Sequence, residues 1–510
     1  MNLFKQISLT LRLVKLRRLW GSIAYPLQRD WLERQFRNSQ PLEIFEPSGN
    51  LLKAEPTERG GYFYFERLEL EICFLAPDFV RVDWKPSTPP IPYGIARQDW
   101  ENVETTFQKK GERMEVASAA LKVIVNADGS LEFQDSQGQT LREELPPQRQ
   151  TEEFPQTSIC GWIHQAKLQS DECIYGLGER AAPLNLRQDK TYRMWNRDAQ
   201  GMYGVGDDPL QICIPVYLGL HSAGSYAIFY ENSYPANFSF KEQARVEFEG
   251  GALRYYFAAG SLPQLLERYT DLTGRPFLPP RWALGYHHSR WGYEKESALR
   301  ETAKGFESHD IPVSALHLDI DCLDGFRAFT IDPERFPHLP EFTKELAAKG
   351  IRLITITNPG IKATRSNKLF QEGREQDIFC KLPNGKPIIA AVWPGASAFP
   401  DLTNPQARHW WSRQYEYLLD LGIAGFWHDM NEPAVFVLWG DPSLPPHLTQ
   451  HFLEGRGGDH REAHNVYGLL QAEAAYEAIR EYQPQRRPFI VSRSGWAGLQ
   501  RYAWTWTGDI

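Results

Sequence analysis

Residues 340–356 read PEFTKELAAKGIRLITI, a helical stretch followed at once by a short apolar run. A helix leading straight into a buried strand is the repeating unit of a parallel α/β sheet. The alternation recurs on both sides of this stretch. Candidate strands are 282–287 (WALGYH), 315–320 (ALHLDI), 351–356, 423–428 (IAGFWH), 488–492 (PFIVS) and 503–508 (AWTWTG), with helices expected at 295–308, 340–349, 406–420 and 464–482. Six such strands predict an incomplete (β/α)8 TIM barrel, two strands short of closure. The last ends directly before Ile510, and a sheet so shortened leaves open edges, which suggests a fragment. The stretch 362–405 is too long for a simple loop and is expected to form an insertion.

The pattern changes at Pro279-Pro280. From about 40 to 260, short strand-like runs such as 62–74, 78–84, 121–125, 211–218 and 226–230 alternate with turn signals at Asn126–Gly129 and Gly250-Gly251. That reading predicts an N-terminal antiparallel β-sandwich. The expected domains are therefore a basic helical segment at 1–39, a β-sandwich at 40–275 and the barrel at 276–510. The first 35 residues mix Leu, Ile, Phe and Trp with Lys5, Arg12, Lys15, Arg17, Arg18, Arg29 and Arg34. Charges interrupt any secretory apolar core. Such a helix either docks on its own protein, the commoner case, or touches a membrane surface.

A net charge of −8 argues against a nucleic-acid partner. The six cysteines (Cys73, Cys160, Cys173, Cys213, Cys322, Cys380) are scattered without a CxxC pair, which suggests free thiols in a reducing, cytoplasmic setting. No run of about 18 apolar residues could span a membrane. The 16 tryptophans suit a protein that stacks sugar rings, and serve equally as core filler. Oligomeric state leaves no mark in the sequence.

Functional groups of such barrels lie at the C-terminal strand ends. Those ends carry Asp319 and Asp321, then Asp429 and Glu432, then Arg493, then Asp509. A lone acid at one of these places is usually a cap or a solvated charge. Acids converging from several strand ends are the kit for glycoside hydrolysis, one ionised to attack and one protonated to release the leaving oxygen. Sequence spacing leaves open whether configuration is retained or inverted. Metal ligation by Asp319-Ile320-Asp321 or His287-His288 is the competing reading, but adjacent strand residues face opposite ways and no further ligands cluster, so no metal or other cofactor is expected.

At these residues the sequence resembles glycoside hydrolase family 31, the α-glucosidase family. Trp427-His428-Asp429-Met430-Asn431-Glu432-Pro433 is similar to its nucleophile motif, and Ser492-Arg493-Ser494 with Trp506-Thr507-Gly508-Asp509 to the stretch ending on its acid/base. Weaker likenesses are Tyr175-Gly176-Leu177-Gly178-Glu179-Arg180, Asn196-Arg197-Asp198, Asp319-Ile320-Asp321, Val392-Trp393-Pro394-Gly395 and His464-Asn465-Val466-Tyr467-Gly468. The resemblance implies Asp429 as nucleophile, Asp509 as acid/base and Glu432 as a supporting acid. It implies sugar contacts by Asp198, Asp319, Ile320, Trp393, Trp427, Met430, Arg493 and Trp506. The chain departs from the family pattern with Asn358 for the usual Asp and with Cys322-Leu323 after Asp321. A pocket His of the family's later strands has no counterpart.

What the resemblance implies is a retaining exo-acting α-glucosidase taking terminal α-linked glucose from oligosaccharides by double displacement. The alternatives are a catalytically incompetent fragment serving as a sugar-binding or assembly module, or a related α-xylosidase, transglucosidase or α-glucan lyase.

Overall fold

The computed structural model describes residues 16–36, 44–151, 161–199 and 203–508. The chain divides into two compact units, a sandwich ending at Arg275 and an α/β unit built on Pro276–Gly495, the segment from Leu499 and the N-terminal helix.

The sandwich holds one eleven-stranded and one eight-stranded sheet, whose paired strands run antiparallel. Turn chemistry sets its connections. Leu121–Val125 and Leu131–Asp135 form a hairpin whose turn places Gly129 at φ 86°, as the Asn126–Gly129 signal predicts. Gly251, at φ 79°, lies where the chain leaves Gln243–Phe248 of one sheet for Leu253–Ala259 of the other. The run 62–74 is not one strand: it breaks between Gly60–Phe65 and Glu69–Ala76, because Phe65 N bonds back to Leu68 O in a tight turn. Side chains from both sheets, among them Phe63, Trp84, Val123, Trp162, Phe238 and Phe257, interdigitate in one buried core.

A polar plug sits inside that core. Arg142 Nε bonds Glu144 Oε1 at 2.7 Å, and Tyr255 OH donates to Glu144 Oε2 from the opposite sheet. His164 Nε2 stands 3.1 Å from Glu144 Oε2, a close charge contact rather than a directed hydrogen bond. Burial alone would push the Glu144 carboxyl up, but His164 and Arg142 outweigh it and hold the group at about 2.

In the α/β unit the helix α1 (Leu16–Phe36) lies on the insertion. Its Tyr25 and Leu32 enter a cluster with Cys380, Ile388, Val392, Phe399 and Leu444, and Tyr25 OH donates to Ser443 O at 3.1 Å. The described part of the N-terminal segment thus docks on its own unit; residues 1–15 lie outside the described residues. Among the described residues no helix is long and apolar enough to cross a membrane.

Six parallel strands form the half-barrel sheet in sequence order: β1 (His287–Ser289), β2 (Ala315–Leu318), β3 (Arg352–Thr357), β4 (Gly425–His428), β5 (Ile490–Ser492) and β6 (Trp504–Thr505). Between them run α2 (Glu296–Ser308), α3 (Leu339–Ala348), α4 (Pro405–Arg413), α5 (Tyr415–Asp420) and α6 (Tyr467–Tyr482). One expectation fails: 282–287 is mostly a 3-10 turn, Arg281–Leu284, entered from Pro280 and closed at Gly285, and the strand starts only at His287. The insertion is a structured piece, with a helix Lys368–Glu375 and a three-stranded antiparallel sheet of Ile361–Lys362, Gly395–Ala398 and Ala390–Val392.

Candidate active site

Parallel register brings the strand ends to one level. Thr357 pairs with His428, His428 with Ser492, and Ser492 with Thr505, so Asn358, Asp429, Arg493 and Trp506 all leave the sheet at one rim. Leu318 pairs with Thr355, so Asp319 leaves at the same end. Two backbone bonds extend the ladder past the strands, Asp429 N to Thr357 O at 3.3 Å and Arg493 N to His428 O at 2.9 Å.

Arg493 ties this rim together. Its Nε and Nη2 grip Glu432 in a fork, at 2.8 Å to Oε1 and 2.7 Å to Oε2. Its Nη1 stands 3.1 Å from Asp429 Oδ1, and Nη2 reaches Met430 Sδ at 3.4 Å. The side chains of Arg493 and Glu432 are 3% and 1% exposed, whereas that of Asp429 is 14% exposed. Of the two acids in the motif, Asp429 is therefore the one open to a ligand. Met430 adopts a left-handed φ of 60°, a conformation costly for a side-chain-bearing residue and held here by its surroundings.

Alternation along β4 separates two roles. Trp427 packs toward His317 (ring centroids 6.2 Å) and Trp506 (5.6 Å), while His428 points the other way and bonds Tyr415 OH at 2.9 Å through Nε2. Burial pushes the His428 imidazole down to about 3, so it is neutral. Trp393, on the insertion hairpin, meets Trp291, Phe326 and Phe436 at 5.9, 6.3 and 4.9 Å, an aromatic wall drawn from the loops after β1, β2 and β4.

The structure joins Asp429, Met430, Glu432 and Arg493 in direct contact, and Trp427 with Trp506. Asp319 follows β2, where its Oδ1 accepts from Ile320 N at 2.6 Å and caps a 3-10 turn. Two strand spacings, roughly 10 Å of sheet, separate the ends of β2 and β4. Ile320, which opens that turn, is 3% exposed. Asp198 is a buried residue of the sandwich unit. Asp509, and with it the separation of the two expected catalytic acids, lies outside the described residues; so does Cys160.

Sequence reasoning passed over the residues that brace the rim. Asn431 donates to Ser492 Oγ at 2.9 Å and accepts from Ser494 N at 3.0 Å, locking the loop after β4 to the loop after β5. Their signal was present, since both flank singled-out residues, but nothing in the spacing told bracing from sugar contact. Thr357 Oγ1, both side-chain amide atoms of Asn358 and Trp427 Nε1 are buried at the ends of β3 and β4 with no hydrogen-bond partner among the described residues. Cys380, Asp401 and His451 gather metal-type donor atoms within 4.8 Å. Those donors are already used: Asp401 accepts from Thr403, His451 and Phe452, and burial pushes the Cys380 thiol far up, away from the thiolate a metal needs.

Parallel strands that deliver acids and an arginine to one rim define the (β/α)-barrel class whose chemistry lies at its strand ends. Residues 276–510 match the model of the "Glycosyl hydrolases family 31 TIM-barrel domain", and residues 69–238 that of the family's N-terminal galactose mutarotase-like domain. The chain belongs to glycoside hydrolase family 31. It is 35% identical over 470 residues to alpha-glucosidase 2 of Bacillus thermoamyloliquefaciens, covering 90% of this chain and 58% of that protein. Against the alpha-glucosidase of Saccharolobus solfataricus it is 32% identical, covering 68% and 52%. Among solved structures, the family 31 dextranase of Flavobacterium johnsoniae complexed with isomaltotriose superposes with a TM-score of 0.79 at 27% identity, over 91% of this chain and 56% of that one. The chain spans about half the length of the curated relatives it matches.

Proposed function

We propose that the chain acts as a retaining, exo-acting α-glucosidase with Asp429 as nucleophile and Asp509 as acid/base. The observation behind this reading is the contrast at Arg493: one acid of the motif, Glu432, is buried in its fork, and the other, Asp429, shares its charge yet keeps part of its surface exposed. A nucleophilic carboxylate must be ionised, and a guanidinium 3.1 Å away favours that form.

In the proposed mechanism Asp429 attacks the anomeric carbon while Asp509 gives its proton to the departing glycosidic oxygen. A glucosyl ester on Asp429 forms and the aglycone leaves. Asp509, now ionised, takes a proton from water, which attacks the same carbon, frees the Asp429 carboxylate and releases α-glucose. Glu432 aims Arg493 and does not react. Asp319 and Asp198 would accept from sugar hydroxyls, Arg493 would donate beside Asp429, and Trp393, Trp427, Met430 and Trp506 would wall the sugar ring. The unspent polar atoms of Asn358 and Trp427 suit a ligand rich in hydroxyl groups. Ile320, buried, would act only as backbone support for Asp319. The unpaired cysteines support a reducing, cytoplasmic setting.

The test is hydrolysis of maltose and isomaltose, with the anomer of the first-formed glucose followed by proton NMR and aryl α-xyloside as control. The reading expects α-glucose first and little action on the xyloside. β-Glucose first, or preference for the xyloside, rejects it.

A further inference from the structure

Asp401, His451, His460 and His464 stand in one unbroken line of hydrogen bonds, away from the groups assigned above. His451 Nδ1 lies 2.8 Å from Asp401 Oδ1, His451 Nε2 lies 2.8 Å from His460 Nδ1, and His460 Nε2 lies 3.0 Å from His464 Nδ1. All four residues are buried. Three separate pieces of chain meet here: the end of the insertion, the two-residue strand Gln450–His451, and the short helix His460–Ala463 that leads into α6.

The carboxylate fixes the direction of the whole line. Asp401 already accepts at Oδ1 from Thr403 N and Thr403 Oγ1, and at Oδ2 from Phe452 N, so it is an ionised acceptor. Burial would raise its carboxyl, but His451 and these donors outweigh that and hold it down. A neutral His451 then carries its proton on Nδ1 and presents a lone pair at Nε2. His460 must donate from Nδ1 to that lone pair, and accept at Nε2 from Nδ1–H of His464. Burial pushes the His460 imidazole far down, in keeping with a neutral ring. All three histidines are forced into the Nδ1–H tautomer, the less common form of a free neutral imidazole.

What the line braces is the back of the rim. Tyr467, in the first turn of α6, donates to Pro400 O at 2.9 Å beside Asp401. Gly468 packs so closely that a Cβ there would lie 2.7 Å from Ser494 O and 3.2 Å from Asn431 O. Asn431 and Ser494 bond each other and flank Met430 and Arg493.

We propose that Asp401, His451, His460 and His464 form a positioning relay, locked in one tautomeric direction, that holds the first turn of α6 against Asn431 and Ser494 and so sets Arg493 relative to Asp429. Its catalytic consequence rests on the reading of Asp429 as nucleophile. The relay itself does not.

The experiment uses the full chain with ¹⁵N-labelled histidine and long-range proton–nitrogen spectra. Three neutral imidazoles protonated on Nδ1 are expected, and an Nε2–H form at any of the three overturns the relay. Asp401→Leu removes the carboxylate acceptor facing His451 Nδ1, and at least one of the three imidazoles is then expected to populate the Nε2–H form. Unchanged tautomers in that variant overturn the locking role. The positioning role is read by hydrogen–deuterium exchange of the Ser494 amide. His464→Asn keeps a donor at the Nδ1 position and should stay within about twofold of the parent, while His464→Gln loses it and should exchange about tenfold faster. Equal effects of Asn and Gln overturn positioning, since Gln is nearer to His in size. In turnover, His464→Gln should lower kcat about tenfold with KM nearly unmoved, and Asn should restore it. If the parent chain shows no turnover, the glycosidase reading fails, while spectra and exchange still judge the relay.

Discussion

Replacing Arg493 by Met removes three contacts to carboxylates at once, the two-pronged grip on Glu432 at 2.8 and 2.7 Å and the 3.1 Å approach to Asp429, together with the weaker one to Met430 Sδ. Glu432, whose side chain is 1% exposed, then becomes a buried carboxylate that has lost its guanidinium fork. Breaking a buried pair from one side costs about 3–5 kcal/mol, more than the pair contributes net, because the surviving charge remains desolvated. Asp429 adds less, being partly exposed. Removing Glu432 as well, in Arg493→Met with Glu432→Met, takes away the stranded charge and fills the space with apolar atoms. The double variant should therefore recover about 2 kcal/mol or more relative to Arg493→Met alone. Urea unfolding at neutral pH, run on the parent, both single variants and the double, gives the coupling directly. Additivity within about 0.5 kcal/mol would refute the claim that Glu432 is held chiefly by Arg493. The double variant should still hydrolyse no glucoside, since stability returns while the alignment of Asp429 does not.

The sandwich plug gives a pH prediction. Glu144 has a folded pKa of about 2 against an ordinary 4.5, so its ionisation contributes stability that is fully present above 4.5 and lost as pH falls through about 2. The contribution is roughly 3 kcal/mol, and Glu144→Gln should flatten the acid slope of unfolding free energy over that window. An unchanged slope contradicts it. Gly468→Ala sets two effects against each other: Ala gains about 1 kcal/mol in helix propensity, but its Cβ would lie 2.7 Å from a backbone oxygen, and overpacking of that kind costs about 1–3 kcal/mol. The variant should melt lower and turn over more slowly, and an equal or raised melting temperature would show that Ser494 can yield.

Five of the six barrel strands were legible because each is a short apolar run whose ends are marked by polar or small residues. The first was not. Trp282 and Ala283 supply strand-like apolar character, yet Pro280 and Gly285 bound a tight turn, and local hydrophobicity does not tell the two apart. The break inside 62–74 escaped because apolar residues flank Glu66-Arg67 on both sides, although two adjacent charges cannot share one face of a strand and so marked the turn. At the rim, strand ends pointed to Asp319, Asp429 and Arg493. The sequence held no sign that Arg493 would clasp Glu432 across 61 positions, a pairing made only by the parallel register of β4 and β5. Ile320 was singled out only as the neighbour of Asp319, and its 3% exposure could not be read from the sequence. The line from Asp401 to His464 was illegible because Asp401 stands 50 positions before His451, and the histidines, 9 and 4 positions apart, lie on a strand and a helix whose packing the sequence does not show.

The central claim, that Asp429 is the attacking group, meets its most direct test in trapping. The full chain would be incubated with a fluorinated α-glucosyl fluoride whose ester breaks down slowly, digested, and the modified peptide sequenced by mass spectrometry. The account predicts one glucosyl adduct, carried by Asp429, and none in Asp429→Asn. An adduct on any other side chain, or glucose release persisting in Asp429→Asn, would contradict it.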